Sequence, residues 1–191
     1  MSKTLLNNIS KIDSGKSFRQ RIDDIPNGGC DVIQMKDIFH EDLTISATPQ
    51  TILLDDVSQH QLLQKGDILF MAKGNNNFAV IYNSDKPAVA VSLFFIIRPN
   101  RNKVIPEYLA WFLNAPTAQA YFHENRLGAS VGNIRKEALE TLEVELPSMD
   151  RQQQIAKLNQ LFYKEKQITQ NYLHKKELLL NGIMNNLILE K

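Results

Sequence analysis

Few residues in this chain are spaced for chemistry. Ser10-Lys11-Ile12-Asp13-Ser14-Gly15-Lys16-Ser17 ends like a phosphate-cradling loop. Such a loop also needs a glycine five positions before Gly15, where the backbone curls around phosphates with no Cβ in the way. Ser10 stands there and no long apolar strand precedes it, so nucleotide binding is not expected. His40, His60, His123 and His174 are spaced unsuitably for a local metal site. Cys30 is the one cysteine, so no internal disulfide can form, which fits a reducing cytoplasm. There is no Asn-Pro-Pro-aromatic box and no Gly-rich turn of the kind that holds S-adenosylmethionine. No acidic residue is followed two positions later by lysine, as the common restriction nuclease motif requires. Catalysis by this chain is not expected, and no catalytic residue, metal or cofactor is assigned to it.

Binding chemistry is better served. Lys73-Gly74-Asn75-Asn76-Asn77 lies between two apolar runs and reads as a hairpin tip. Asparagine amides donate and accept toward an adenine edge, and lysine anchors phosphate. Asn and Gly are equally good plain turn formers. Two more loops are rich in donors: residues 16–21, with Lys16, Arg19 and Arg21, and residues 130–135, with Ser130, Asn133 and Arg135. The net charge of +1 is neutral on nucleic acid, but residues 61–136 carry nine Lys and Arg against four Asp and Glu. A duplex-binding face needs such clustering, although charges scattered over a solvated surface would give the same count.

The elements that must hold these loops are legible in outline. Leu5, Leu6 and Ile9 make a short helical or extended start. The turn Pro26-Asn27-Gly28-Gly29 feeds a strand at Asp31-Val32-Ile33-Gln34. Residues 39–61 are a polar, weakly patterned connection with one strand near Thr51 to Leu54. Lys65-Gly66 turns the chain into an apolar strand that continues to Ala72, and another strand begins at Phe78. Residues 88–98 read as one central buried strand, too short for the roughly 18 apolar residues of a membrane span. A basic loop follows, then Pro106 opens a buried helix holding Tyr108, Leu109, Trp111, Phe112 and Leu113, with Trp111 as core rather than a stacking platform. A second short helix spans residues 117–124.

The joint comes next. A loop with Gly128, Ser130, Gly132 and Asn133 leads to a helical turn at residues 135–140. Leu142, Val144 and Leu146 then alternate with Thr141, Glu143 and Glu145 in the period of a strand. Pro147 stops the strand, and Ser148 or Asp150 can cap a helix running to about Leu189. Roughly 40 residues of helix would reach about 60 Å. Ile155, Leu158 and Phe162, then Ile168, Tyr172, Leu179, Ile183 and Leu187 after a phase shift at Glu165, keep a near-heptad apolar spacing. A lone solvated helix would lack that stripe, so a partner is expected.

The joint also resembles a known family. Ser130, Ile134, Lys136, Glu137, Leu139, Leu142, Val144, Leu146, Pro147, Gln153 and Ile155 are similar in kind and order to the closing segment of a target recognition domain. Such domains belong to the specificity subunits of type I restriction–modification systems. Lys65-Gly66-Asp67-Ile68-Leu69-Phe70 upstream, the Pro106-Glu107-Tyr108-Leu109 helix start and the early Ser14-Gly15-Lys16 turn strengthen the resemblance. It covers nearly the whole chain and implies an α+β fold: residues 1–147 as a recognition domain with a small mixed or antiparallel sheet and packed helices, and residues 148–191 as one long coiled-coil-type helix.

The resemblance implies a non-catalytic, sequence-specific subunit that reads half of a bipartite site in double-stranded DNA. It would recruit a methyltransferase subunit, which uses S-adenosylmethionine, and in some systems a restriction subunit. Subunits of this family typically have two such halves, whereas this chain has one, so a homodimer through the C-terminal helix is expected, with an interrupted palindrome as target. The tip 73–77, the turn 16–21 and the loop 130–135 are expected to converge on the duplex. The reading from another class is a helix-dimerised protein-interaction scaffold, and a weaker third is an enzyme with an unrecognised site. Salt-dependent duplex binding separates the first from the other two.

Overall fold

The computed structural model describes residues 2–74, 76–126 and 132–189. In chain order the elements are β1 (Ser2–Leu5), α1 (Leu6–Ile9), β2 (Ser10–Ser14), β3 (Gly29–Ile33), β4 (Ile38–Phe39), β5 (Thr44–Ile45), β6 (Gln50–Leu53), β7 (Ile68–Met71) and β8 (Ala79–Ile81). There follow β9 (Ala88–Ala90), β10 (Phe94–Pro99), α2 (Pro106–Asn114), α3 (Pro116–Glu124), α4 (Lys136–Glu140), β11 (Glu143–Leu146) and α5 (Met149–Leu189). A short 3-10 turn, Met35–Asp37, follows β3, and two more, Leu54–Asp56 and Gln59–Gln61, lie in the polar connection. The chain divides into two compact units, residues 1–156 and residues 157–191.

The first unit has three layers. Its middle layer is an antiparallel sheet in the order β2-β10-β7-β8. Every residue of β7 is buried because both faces of that strand are covered. Ile68 and Phe70 face α2 and α3, where the Phe70 and Phe122 rings lie 4.7 Å apart. Leu69 and Met71 face the other way, against Ile33, Ala88 and Ala90 of a second sheet ordered β6-β3-β9. That second sheet buries Cys30, Val32, Ile52 and Val89 on its far side, under Phe18, Ile22 and Leu62. Period-two alternation thus serves two cores at once.

Pro at the first position of both α2 and α3 starts each helix where a missing N–H costs nothing. Asn114 at the end of α2 donates to and accepts from Ala79, at 2.8 and 2.9 Å, so its amide covers part of the open edge of β8. Trp111 is half-buried against the core beside Tyr108, with ring centroids 5.6 Å apart. The Tyr108 hydroxyl donates to Glu145 O at 2.6 Å, and burial pushes its pKa up to about 12. β11 pairs antiparallel with β1, from Ser2 opposite Leu146 to Leu5 opposite Glu143. The amino-terminal strand is therefore tied to the joint before Pro147.

The longest apolar run departs from its expected form. Residues 88–98 are two strands in two sheets: β9 runs parallel to β3, and β10 lies between β2 and β7. Val91-Ser92-Leu93 turns between them, with Phe94 N donating to Val91 O at 3.0 Å. A continuous apolar run shows only that its residues are buried, not which sheet buries them.

Helix α5 begins inside the first unit. Gln152 is 1% exposed, and its amide accepts from Ile105 N and donates to Pro147 O, both at 2.9 Å. Ile155 packs on the main core and Ala156 is buried, so Ile155 belongs to the domain and not to an exposed partner seam as expected. In the second unit, Leu158, Phe162, Ile168, Tyr172, Leu179, Ile183 and Leu187 are each 47–68% exposed. None of the helices among the described residues is long and apolar enough to cross a membrane.

Candidate nucleic-acid interface

Strand direction decides where the candidate loops go. In the four-stranded sheet β2 ends at Ser14 opposite Phe95, β7 ends at Met71 opposite Phe94, and β8 starts at Ala79 opposite Phe70. The segments after β2, between β7 and β8, and before β10 therefore leave one end of the sheet. The second sheet brings its own segments there, because Ile33 and Ala90 end parallel strands side by side and Gln50 lies opposite Val32. One backbone bond joins the two sheets at this end, Lys16 N to Ala90 O at 2.7 Å, between Gly15 N to Phe94 O at 3.0 Å beside the first sheet and Val91 N to Ile33 O at 3.1 Å beside the second. The segment 132–134 is also bound in, through Ile134 N to Ala72 O at 2.8 Å, Gly74 N to Gly132 O at 3.1 Å and a bridge between Lys73 and Asn133.

A Cβ on Gly15 would run into the carbonyl oxygens of Val91 and Ala90, so only glycine lets these two backbones meet. Gly15→Ala is expected to cost about 1–3 kcal/mol of stability, as other overpacked sites do. A lower urea midpoint at unchanged m-value is the readout, and an unchanged midpoint would refute the close approach.

A groove of about 510 Å³ opens between the two sheet ends, lined by Lys16, Arg21, Lys36, Gln20, Gln34 and Gln50 with Phe18, Ile22, Met35, Val91, Ser92 and Leu93. Three of these residues are cationic and none is acidic. Lys16 Nζ donates to Asp56 O and to Gln61 Oε1, both at 3.2 Å, and sits 5.8 Å from the Phe18 ring centroid. An ammonium has three donors, so one stays available to an incoming acceptor. Lys36 Nζ and Gln34 Nε2 both donate to Gln50 Oε1 at 2.7 Å. Cys30 lies beneath in the second sheet, where burial first and the charge of Asp31 second push its thiol up to about 11. A thiol held protonated there packs as an apolar group.

The expected residues divide accordingly. Lys16 and Arg21 line the groove, with Arg19 exposed between them in sequence. Lys73, Asn76 and Arg135 are exposed, and Asn133 is half-buried in its bridge to Lys73. Lys73 and Gly74 therefore meet residues 132–134, at the sheet end that also carries residues 16–21. Asn75 and Ser130 lie outside the described residues.

Asn77 is a correction. It is 4% exposed, donates through Nδ2 to Met71 O at 2.8 Å and accepts at Oδ1 from Arg126 Nη2 at 2.8 Å. An amide whose groups are used inside cannot read a base, so Asn77 shapes the tip from within. Arg126 is its partner, and a Cβ on Gly132 would strike the Arg126 side chain. Gln34, Lys36 and Gln50 were missed. Gln34 directly follows β3 and Lys36 lies in the Met35–Asp37 turn, but Gln50 sits in a connection without periodicity and meets them only through sheet pairing.

Comparison with known proteins agrees with this architecture. Residues 3–176 match the family described as type I restriction modification DNA specificity domain. A curated relative, the specificity subunit of the type I restriction enzyme HindI from Haemophilus influenzae, is 31% identical over 98 residues, covering 49% of this chain and 21% of that protein. Among solved structures, a chain from a study of complex assembly and conformational transition in the type I system superposes with a TM-score of 0.70 at 18% identity, over 95% of this chain and 43% of its own. The HsdS subunit from Thermoanaerobacter tengcongensis gives 0.63 at 15%, over 93% of this chain and 46% of its own. The specificity subunit from M. genitalium gives 0.59 at 14%, over 85% and 39%. The chain thus spans less than half the length of each. With the family match running from β1 into the second unit, and with the same α+β fold in those structures, the chain belongs to the type I restriction modification DNA specificity domain family.

Proposed function

We propose that residues 1–156 read one part of a bipartite site in double-stranded DNA, as the non-catalytic specificity component of a type I restriction–modification complex. The observation that carries this reading is the convergence of donor-rich, cation-bearing loops on one end of two sheets, around a groove whose lining holds no carboxylate. Lys16, Arg19, Arg21, Lys73 and Arg135 anchor phosphates, and the amides among them read base edges. The methyltransferase subunit supplies S-adenosylmethionine chemistry, and a restriction subunit joins where the system has one. The partners and the cytoplasmic location rest on family membership.

Duplex binding by the full chain tests the reading. Lys73→Ala and Arg135→Ala are each expected to weaken binding to every sequence and to lower the log–log salt slope by about 0.9 for each phosphate left unneutralised. Asn76→Ala is expected to relax base preference with the slope unchanged. Binding that ignores salt would overturn the proposal.

The exposed apolar side chains of residues 158–187 support a second component, self-association through the helix. Two identical recognition domains related by a two-fold axis read identical half-sites in opposite orientation. The target is then an interrupted palindrome, and an asymmetric methylated motif in the host would instead favour pairing with a different recognition half.

A further inference from the structure

The amide cluster in the groove has a fixed polarity. Lys36 Nζ lies 2.7 Å from Gln50 Oε1, and an ammonium can only donate, so that atom must be the amide oxygen. Gln34 then approaches the same oxygen at 2.7 Å through its own Nε2, which fixes the second amide as well. Gln50 Oε1 is occupied twice, and Gln50 Nε2 points toward Ile22 O at 3.5 Å. Gln34 differs. Its Nε2 keeps one N–H beyond the bond to Gln50, and its Oε1, which faces the Asp37 N–H in a capping box, keeps a second lone pair. Its backbone is held too, since Gln34 N donates to Asp37 Oδ2 at 2.8 Å.

A donor and an acceptor side by side on one rigid amide complement the N7 acceptor and N6 donor of adenine in the major groove. Gln34 lines the groove with Lys16, Arg21 and Lys36, cations suited to the phosphates that flank a read base. We propose that Gln34 is a specificity-determining residue that reads one adenine of the target half-site. Lys36 and Gln50 are positioning residues that hold its amide in the adenine-reading orientation. This rests on the DNA-recognition reading above and deepens it.

The test is selection from a random duplex library by the full chain and three variants. The parent motif should contain an adenine position that Gln34→Ala relaxes while the other positions stay as selective. Discrimination at that position should fall by about 5- to 150-fold, the worth of one bidentate base pairing. Gln34→Glu should move the preference at the same position toward cytosine, because a carboxylate accepts from the cytosine amine and cannot donate to adenine N7. Lys36→Met should weaken discrimination there without redirecting it. A residue with a merely structural role would blur every position or none. A Gln34→Ala motif identical to the parent's, or one relaxed evenly throughout, overturns the assignment of Gln34 and leaves DNA recognition standing. If the parent selects no motif, the DNA-recognition reading fails and this inference with it.

Discussion

Arg98→Met is expected to cost the folded state about 3–5 kcal/mol, the usual penalty for removing one partner of a buried ion pair. Arg98 grips Asp67 through two donors, Nε at 2.8 Å and Nη2 at 2.6 Å, and Nη2 also donates to Leu62 O at 3.1 Å. Asp67 is 1% exposed, so without the guanidinium its carboxylate would keep only the Gln64 N–H, at 2.8 Å. This pair is what the Lys65-Gly66-Asp67-Ile68-Leu69-Phe70 string is for. Gly66 takes a φ of +92°, which a side chain would resist, and Arg101 caps the Lys65 carbonyl. Asp67 is thereby delivered beneath β10 just where β7 begins. Domains of ordinary stability have about 5–15 kcal/mol in total, so the variant should show a sharply lowered urea midpoint. Arg98→Lys keeps a charge but loses the fork and should fall between. A loss under about 1 kcal/mol for Arg98→Met would show that the pair is dispensable.

The second large effect concerns the helix. Tyr172, Leu179, Ile183 and Leu187 are all exposed. A single chain with this much bare apolar surface along one helix is expected to self-associate. The full chain should be a dimer at tens of micromolar by light scattering, and Leu179→Glu with Ile183→Glu should make it a monomer. Two linked recognition domains bind a two-part site at a high effective concentration, so the monomeric variant should lose about 10²–10⁴-fold in affinity for the full site. Its affinity for a single half-site should not change. A parent that stays monomeric with and without DNA would refute the dimer, and a dimer that survives deletion of residues 157–191 would move the interface elsewhere.

Signals that act between near neighbours along the chain were legible in the sequence alone. Alternation from Leu142 to Leu146 marked β11, Pro106 marked the start of α2, Pro147 ended the sheet, and the Lys65-Gly66 turn introduced β7. One long helix after the joint followed from the same signals, and the α+β class came with the family resemblance. These signals are local because propensity, capping and turn chemistry act over a few residues.

Tertiary packing settled the rest. It split the apolar run 88–98 between two sheets, buried Asn77 where its type suggested exposure, packed Ile155 partly against the main core, and drew Gln50 beside Gln34 by pairing β6 with β3. Lys16 meets Gln61 across 45 positions, and Arg126 meets Asn77 across 49. No periodicity records such meetings. They follow from which strands pair and in which direction, and that is settled only when the apolar faces of both sheets find their layers and close the cores together.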